Sequence, residues 1–253
     1  MCENKEPNMQ LILDTCLMAG KIMTESGSEV YRVEDTMNRI AENAGQNESV
    51  SYVTATGLFM GFRSSNYTQL ENVTERSINL EKVAIVNSLS RKFANKEISL
   101  NELNHRLTNI DHDAPTYSVP LQIFAAGLVS CTLMYIFGGN WNDFFATFII
   151  GMIGFSISFF TKEWLNIKFL DDFLAAFTIG LLAYLAVKFH LAENIDNIII
   201  GAVMPLVPGV AITNSFRDIL AGHLLSGTAR ATEAIFIAGS IGIGIAIVFK
   251  LFM

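Results

Sequence analysis

Apolar residues recur at helical spacing at Ile12, Cys16, Ala19 and Met23, and again at Val30, Val33, Met37, Ile40, Ala41 and Ala44, which predicts two amphipathic helices. Between them, Ser26, Gly27, Ser28 and Glu29 supply a turn with N-cap chemistry. From Val50 the period falls to two. Val50, Tyr52, Thr54, Thr56, Leu58, Met60 and Phe62 alternate with smaller residues, which predicts one half-buried strand, and "TQLENVTE" at 68–75 predicts a shorter strand paired with it. Leu80, Val83, Val86 and Phe93 return to helical spacing. So do Leu100, Leu103, Leu107 and Ile110, behind a Ser99/Glu102 capping box. The expectation is an α+β domain with four helices over residues 1–115.

After that point the pattern changes from amphipathic to continuously apolar. Runs at 120–137, 144–160, 173–189, 198–216 and 234–249 each come close to the length that crosses a hydrocarbon core of ~30 Å at about 1.5 Å per residue, flanks included. The second expectation is a transmembrane domain of about five helices over 116–253, so that the whole is an α-helical polytopic membrane protein with an N-terminal cytosolic α+β domain. Within these spans Gly151 and Gly154, and Ala238, Gly242 and Ala246 at four-residue spacing, are small residues of the kind that let helices approach closely in lipid.

Composition supports the division. The 253 residues are 51% hydrophobic and 16% charged, with mean hydropathy +0.39, too apolar for an average soluble domain. Residues 1–115 hold 11 Lys/Arg and 16 Asp/Glu, against 6 and 8 in 116–253. The opening "MCENKEPNMQ" lacks the basic and apolar regions of a secretory signal, which predicts a cytosolic first half. With five spans, Lys162, Lys168, Arg217 and Arg230 then fall on the cytosolic side and Lys188 and Lys250 outside, the sign that the positive-inside rule requires. Trp141 and Trp164 sit at span ends, where amphipathic rings prefer the interface. The net charge of −7 comes without a basic stripe, which argues against nucleic acid as a partner. Cys2, Cys16 and Cys131 are far apart and make no CxxC, and the four histidines are scattered, so neither a disulfide framework nor a metal site is expected. No cofactor motif is present.

The fourth apolar run breaks its own pattern. Centred near Leu206 and Val207, it carries Pro205, Pro208 and Gly209 at the expected depth of the bilayer midplane, then Thr213, Asn214, Arg217 and Asp218. Proline removes a backbone donor and clashes with the preceding turn, and in lipid the freed carbonyls need partners. Such a break either lines a cavity, as in transporters with discontinuous helices, or kinks a helix packed in protein. In the first case the half-helix after Gly209 points its N-terminal amides at an anionic group. Thr213 and Arg217 are four apart, as are Asn214 and Asp218, so the polar residues form one stripe. Arg217, roughly 15 Å from the midplane by helix rise, faces the solute path or anchors the cytosolic boundary. Asp171 and Asp172 open the third span; they carry a coupling proton or pair with Arg217 and Arg230, or they are the solvated acidic start of a helix.

Two blocks give the chain a family resemblance. "ESGSEVYRVEDTMNRIAENAG" with "VSYVTATGLFMGF" resembles the opening of the threonine/serine exporter family, and "PGVAITNSFRDILAGHLLSGTARATEA" resembles its membrane signature. The resemblance implies export of small hydrophilic metabolites through the inner membrane, driven by the membrane gradient. The amino-terminal part of that family has been likened to hydrolases. A membrane-anchored enzyme is therefore the competing expectation, although no G-x-S-x-G, HExxH or Ser/His/Asp arrangement is found here. The chain also resembles the large subunit of the family's split form, which implies a small integral-membrane partner of about four or five spans, or a homo-oligomer in its place. It further implies that the substrate is either threonine/serine or a dicarboxylate such as succinate.

Overall fold

The computed structural model describes residues 9–63, 67–74, 76–112, 117–165 and 167–252. Cys2, Glu75 at the end of the second expected strand, and the expected boundary at 115–116 lie outside these residues. By its contacts the chain divides into two units: Met1–Pro115 with Val210–Thr232, and Thr116–Gly209 with Glu233–Met253. The sequence division assigned residues 210–232 to the membrane half; by contacts they group with the first.

In the first unit, α1 (Met9–Glu25) and α2 (Val30–Asn43) are followed by β1 (Ser49–Val53), β2 (Gly57–Phe62) and β3 (Thr68–Asn72), then α3 (Leu80–Ala94) and α4 (Leu100–His112). Ile12, Cys16, Ala19 and Met23 are fully buried, as are Val30, Val33 and Met37, so the helical spacing marks the core face of each helix. Burying one such aliphatic side chain contributes about 1.5–3 kcal/mol. Burial also pushes the Cys16 thiol pKa up, which suits an inert core residue. At α4 the Ser99 half of the capping box is present, with the Glu102 N–H donating to Ser99 Oγ at 3.2 Å, while the Glu102 carboxylate accepts from Arg106.

The single long strand expected from Val50 is two strands. Thr54 folds it back: its N–H and its hydroxyl both donate to the Gly57 carbonyl, and its Oγ1 accepts from the Gly57 N–H. A threonine hydroxyl that bonds the backbone ahead of it competes with the strand ladder, which alternation alone does not register. The sheet is an antiparallel meander, β1-β2-β3, pairing Tyr52 with Phe59 and Phe59 with Leu70. Leu58, Met60 and Phe62 point into the core, whereas Val50 and Tyr52 are exposed. The alternation of the second segment therefore gives the core face, and that of the first is out of phase.

The second unit holds α5 (Val119–Ile136), α6 (Phe144–Leu165), α7 (Leu170–Lys188), α8 (Ile195–Val203) and most of α10 (Leu224–Phe252). Among the described residues, α5, the stretch from Trp141 through α6, α7 and α10 are each long and apolar enough to cross a membrane. The broken pair Ile195–Leu206 and Gly209–Leu220 makes a fifth if counted as one span. A Cβ on Gly151 would meet Ser130 Oγ of α5, and one on Gly154 would meet Ile179 of α7 at 2.5 Å, so these two glycines set the close approach of α6 to its neighbours. On α10 that part falls to Gly244, where a Cβ would meet the Phe173 carbonyl at 2.8 Å; Gly242 has nothing within 4 Å.

Candidate functional site

The break in the fourth apolar run follows from its prolines. After α8 the chain makes a 3-10 turn over Met204–Leu206, with Pro205 in it, and Val207 then turns extended at φ −65°, ψ 127°. A residue before proline is pushed out of the helical region by the ring of Pro208. The Gly209 N–H donates to the Val207 carbonyl at 2.8 Å, and α9 (Gly209–Leu220) starts afresh.

The polar stripe on α9 has a definite target within the first unit. Asn214 Nδ2 donates to the Gly27 carbonyl at 2.7 Å. Arg217 Nη1 donates to Glu29 Oε1 at 2.5 Å, and Asp218 Oδ1 accepts the Val30 N–H at 2.9 Å. From the first turns of α10, Arg230 Nη2 donates to the Ser28 carbonyl at 2.8 Å, and its other terminal nitrogen lies 3.6 Å from Asp218 Oδ2. Residues 214–230 thus supply partners to the turn that starts α2.

This arrangement solves a capping problem. The first amides of a helix have no partner within it, and Glu29, at the N-cap of α2, makes no side-chain cap bond. Asp218 supplies the acceptor instead, and its charge lies where the helix dipole favours an anion. Asp218 is fully buried and Asn214 nearly so, whereas the Arg217 side chain is 56% exposed. Burial raises the pKa of the Glu29 carboxyl, but the bond to its own N–H together with Arg217 and Arg32 outweighs this and holds it below the usual carboxylate range. Nearby, Glu34 accepts the Val53 N–H at 3.1 Å and stands 3.8 Å from His223 Nε2.

Of the residues singled out from sequence, Asn214, Arg217 and Asp218 gather at this turn. Thr213, exposed, lies on the same helix; Pro205, Pro208 and Gly209 make the break. Asp171 and Asp172 form the first turn of α7, in the other unit, and both are half-buried. Sequence reading missed Glu29, the carbonyls of Gly27 and Ser28, and the reach of Arg230 to them. No short-range pattern links positions about 190 residues apart. Among the described residues, no group of three or more His, Cys, Asp or Glu side chains is placed to hold a metal ion.

Helices of spanning length, one of them broken between two prolines, together with a small three-stranded sheet, define a multi-pass helical membrane protein. The profile of the threonine/serine exporter family matches residues 14–252, and the chain belongs to that family. It is similar to a protein named as a threonine/serine exporter of Mycobacterium tuberculosis, 20% identical over 93% of this chain and 45% of that protein. It is also similar to pheromone-regulated membrane protein 10 of Pichia sorbitophila, 22% identical over 93% of this chain and 24% of that one. A threonine/serine exporter of Corynebacterium glutamicum is 24% identical over 56% of this chain and 30% of its own length. The chain spans less than half the length of each of these relatives. No solved structure matches it.

Proposed function

We propose that this chain is the membrane-embedded core of an exporter of small hydrophilic metabolites, threonine and serine first among them, in the cell (inner) membrane, with residues 1–115 on the cytosolic side. One observation carries the reading: Arg217, on the half-helix that follows the break, holds the Glu29 carboxylate while more than half of its own side chain stays exposed. Such a guanidinium can exchange one carboxylate for another. A solute carboxylate that takes Arg217 releases Glu29 and loosens the turn at α2, while Asn214 and Thr213 line the path and Asp218 keeps the helix capped. Pro205, Pro208 and Gly209 keep the span open. Asp171 and Asp172, in the first turn of α7, are the coupling groups.

The names of two relatives favour threonine and serine as cargo. A dicarboxylate such as succinate is the competing cargo. In this reading the chain works with a small integral-membrane partner of about four or five spans, or with a second copy of itself. The open face of Ala238, Gly242 and Ala246 on α10 is the surface that would receive it. Efflux from vesicles loaded in turn with threonine, serine and succinate tests the proposal, with and without a co-purified partner. Export of none of them in either preparation overturns it, and export of succinate alone reassigns the cargo.

A further inference from the structure

Apart from the turn at α2, the first unit has a second concentration of charge. On β3 the inward-facing positions are Gln69, paired with Met60, and Glu71, paired with Leu58. Two successive polar residues on the core side of an edge strand are costly unless something answers them. Residues of α1 do so. Lys21 Nζ donates to Glu71 Oε1 at 2.9 Å, and Asp14 Oδ1 accepts from Gln69 Nε2 at 2.9 Å and Gln10 Nε2 at 3.0 Å. With Asn104 and Asp111 of α4, Asp14, Lys21, Gln69 and Glu71 line an open cleft of about 300 Å³, floored by Leu17 and Met18.

We propose that this cleft is a binding site for a small zwitterionic amino acid, so that the first unit has a ligand site separate from the solute path. The proposal deepens the exporter reading, since its ligand belongs to the class of the proposed cargo. The volume lies at the lower end of small-molecule sites and suits a molecule of that size. Both charge signs line the cleft, with Lys21 in contact with Glu71 and the Asp14 and Asp111 carboxylates on other elements. An ammonium group needs several acceptors, and carboxylates from three different elements, Asp14, Glu71 and Asp111, face the cleft. The Lys21 ammonium has three donors, one of them on Glu71, and receives the ligand carboxylate. Its bond to Glu71 raises its pKa against the opposing effect of burial, so it stays charged. Three carboxylates against one lysine disfavour a dicarboxylate, and the apolar floor takes a short side chain.

Calorimetric titration of the purified full chain tests the site with L-serine, L-threonine, ethanolamine, lactate and succinate. Serine and threonine are expected to bind saturably. Ethanolamine and lactate, each lacking one charge, bind about tenfold or more weakly, and succinate weakest of all. Asp14→Asn and Lys21→Gln should each weaken serine binding by about tenfold or more. Asp111→Asn serves as the second variant if Lys21→Gln does not fold, because the bonds described between β3 and α1 run through Lys21, Glu71, Asp14 and Gln69. Serine binding unchanged in Asp14→Asn and Asp111→Asn overturns the inference, leaving the inward charges of β3 as protection of a sheet edge. So does binding that only Arg217→Ala removes, which would leave the exporter reading standing. Failure of efflux with serine binding intact and sensitive to Asp14→Asn overturns the exporter reading alone.

Discussion

The Asp218 carboxylate accepts the Val30 N–H at 2.9 Å across 188 residues of chain. An orphan amide at the start of α2 is therefore satisfied by a side chain from the half-helix after the proline break. Asp218→Ala strips that cap and leaves Arg230, only 6% exposed, without its carboxylate neighbour. Loss of a cap costs about 1 kcal/mol, and loss of the carboxylate beside the buried Arg230 adds to it. Asp218→Asn keeps an acceptor for Val30 and should fall between. Thermal melts in detergent should rank wild type above Asn above Ala; an Ala variant as stable as wild type would refute the capping role.

Arg217 tests stability against transport. Because its side chain is 56% exposed, its pairing with Glu29 is screened, and a double-mutant cycle of Glu29→Gln and Arg217→Ala should give a coupling of about 1 kcal/mol or less. Efflux should nevertheless be abolished in Arg217→Ala and nearly so in Arg217→Lys, since an ammonium cannot reproduce bidentate carboxylate recognition. Wild-type efflux from a well-expressed Arg217→Ala protein contradicts the proposed path.

Acid should loosen the same turn. The folded-state pKa of Glu29 is depressed, so its contribution to stability is fully present above the ordinary carboxylate value of about 4.3 and is lost as pH falls through the lower folded value. Melting temperature compared between wild type and Glu29→Gln should differ at neutral pH and converge below about pH 4. A constant difference across that range means that Glu29 does not titrate with folding.

Pro208→Ala combined with Gly209→Ala should mend the span. A Cβ at Gly209 meets nothing within 4 Å, and removing the proline frees Val207 to return to helix. Flux should disappear while the protein stays folded or gains stability. If stability and flux fall together, the break is a packed structural kink.

The two faces of α10 should respond differently. Gly244→Ala drives a Cβ against the backbone of Phe173 and Phe177, at 2.8 and 3.0 Å, where overpacking costs about 1–3 kcal/mol. Gly242→Leu enters open space and should leave the melt of the isolated chain unchanged, while lowering crosslinking to the proposed partner or second copy. Unchanged crosslinking would place the assembly surface elsewhere.

The sequence by itself determined the helices and their inner faces. Ile12, Cys16, Ala19 and Met23 could share one side of α1 only at a period near 3.6, and uninterrupted apolar runs such as 144–160 have no stable place except in lipid or a large core. The break at Val207 was equally legible, because proline acts on its immediate neighbour. Local effects of this kind are written in adjacent residues. Only the tertiary structure decided that Thr54 turns one alternating stretch into a hairpin, that Gly244 rather than Gly242 meets Phe173, and that the stripe at Asn214, Arg217 and Asp218 meets the turn before α2. Periodicity tells which side of an element is polar, but not which of many distant polar groups it meets. Buried donors such as the Val30 amide must find an acceptor somewhere, and a single sequence records that need without recording the address.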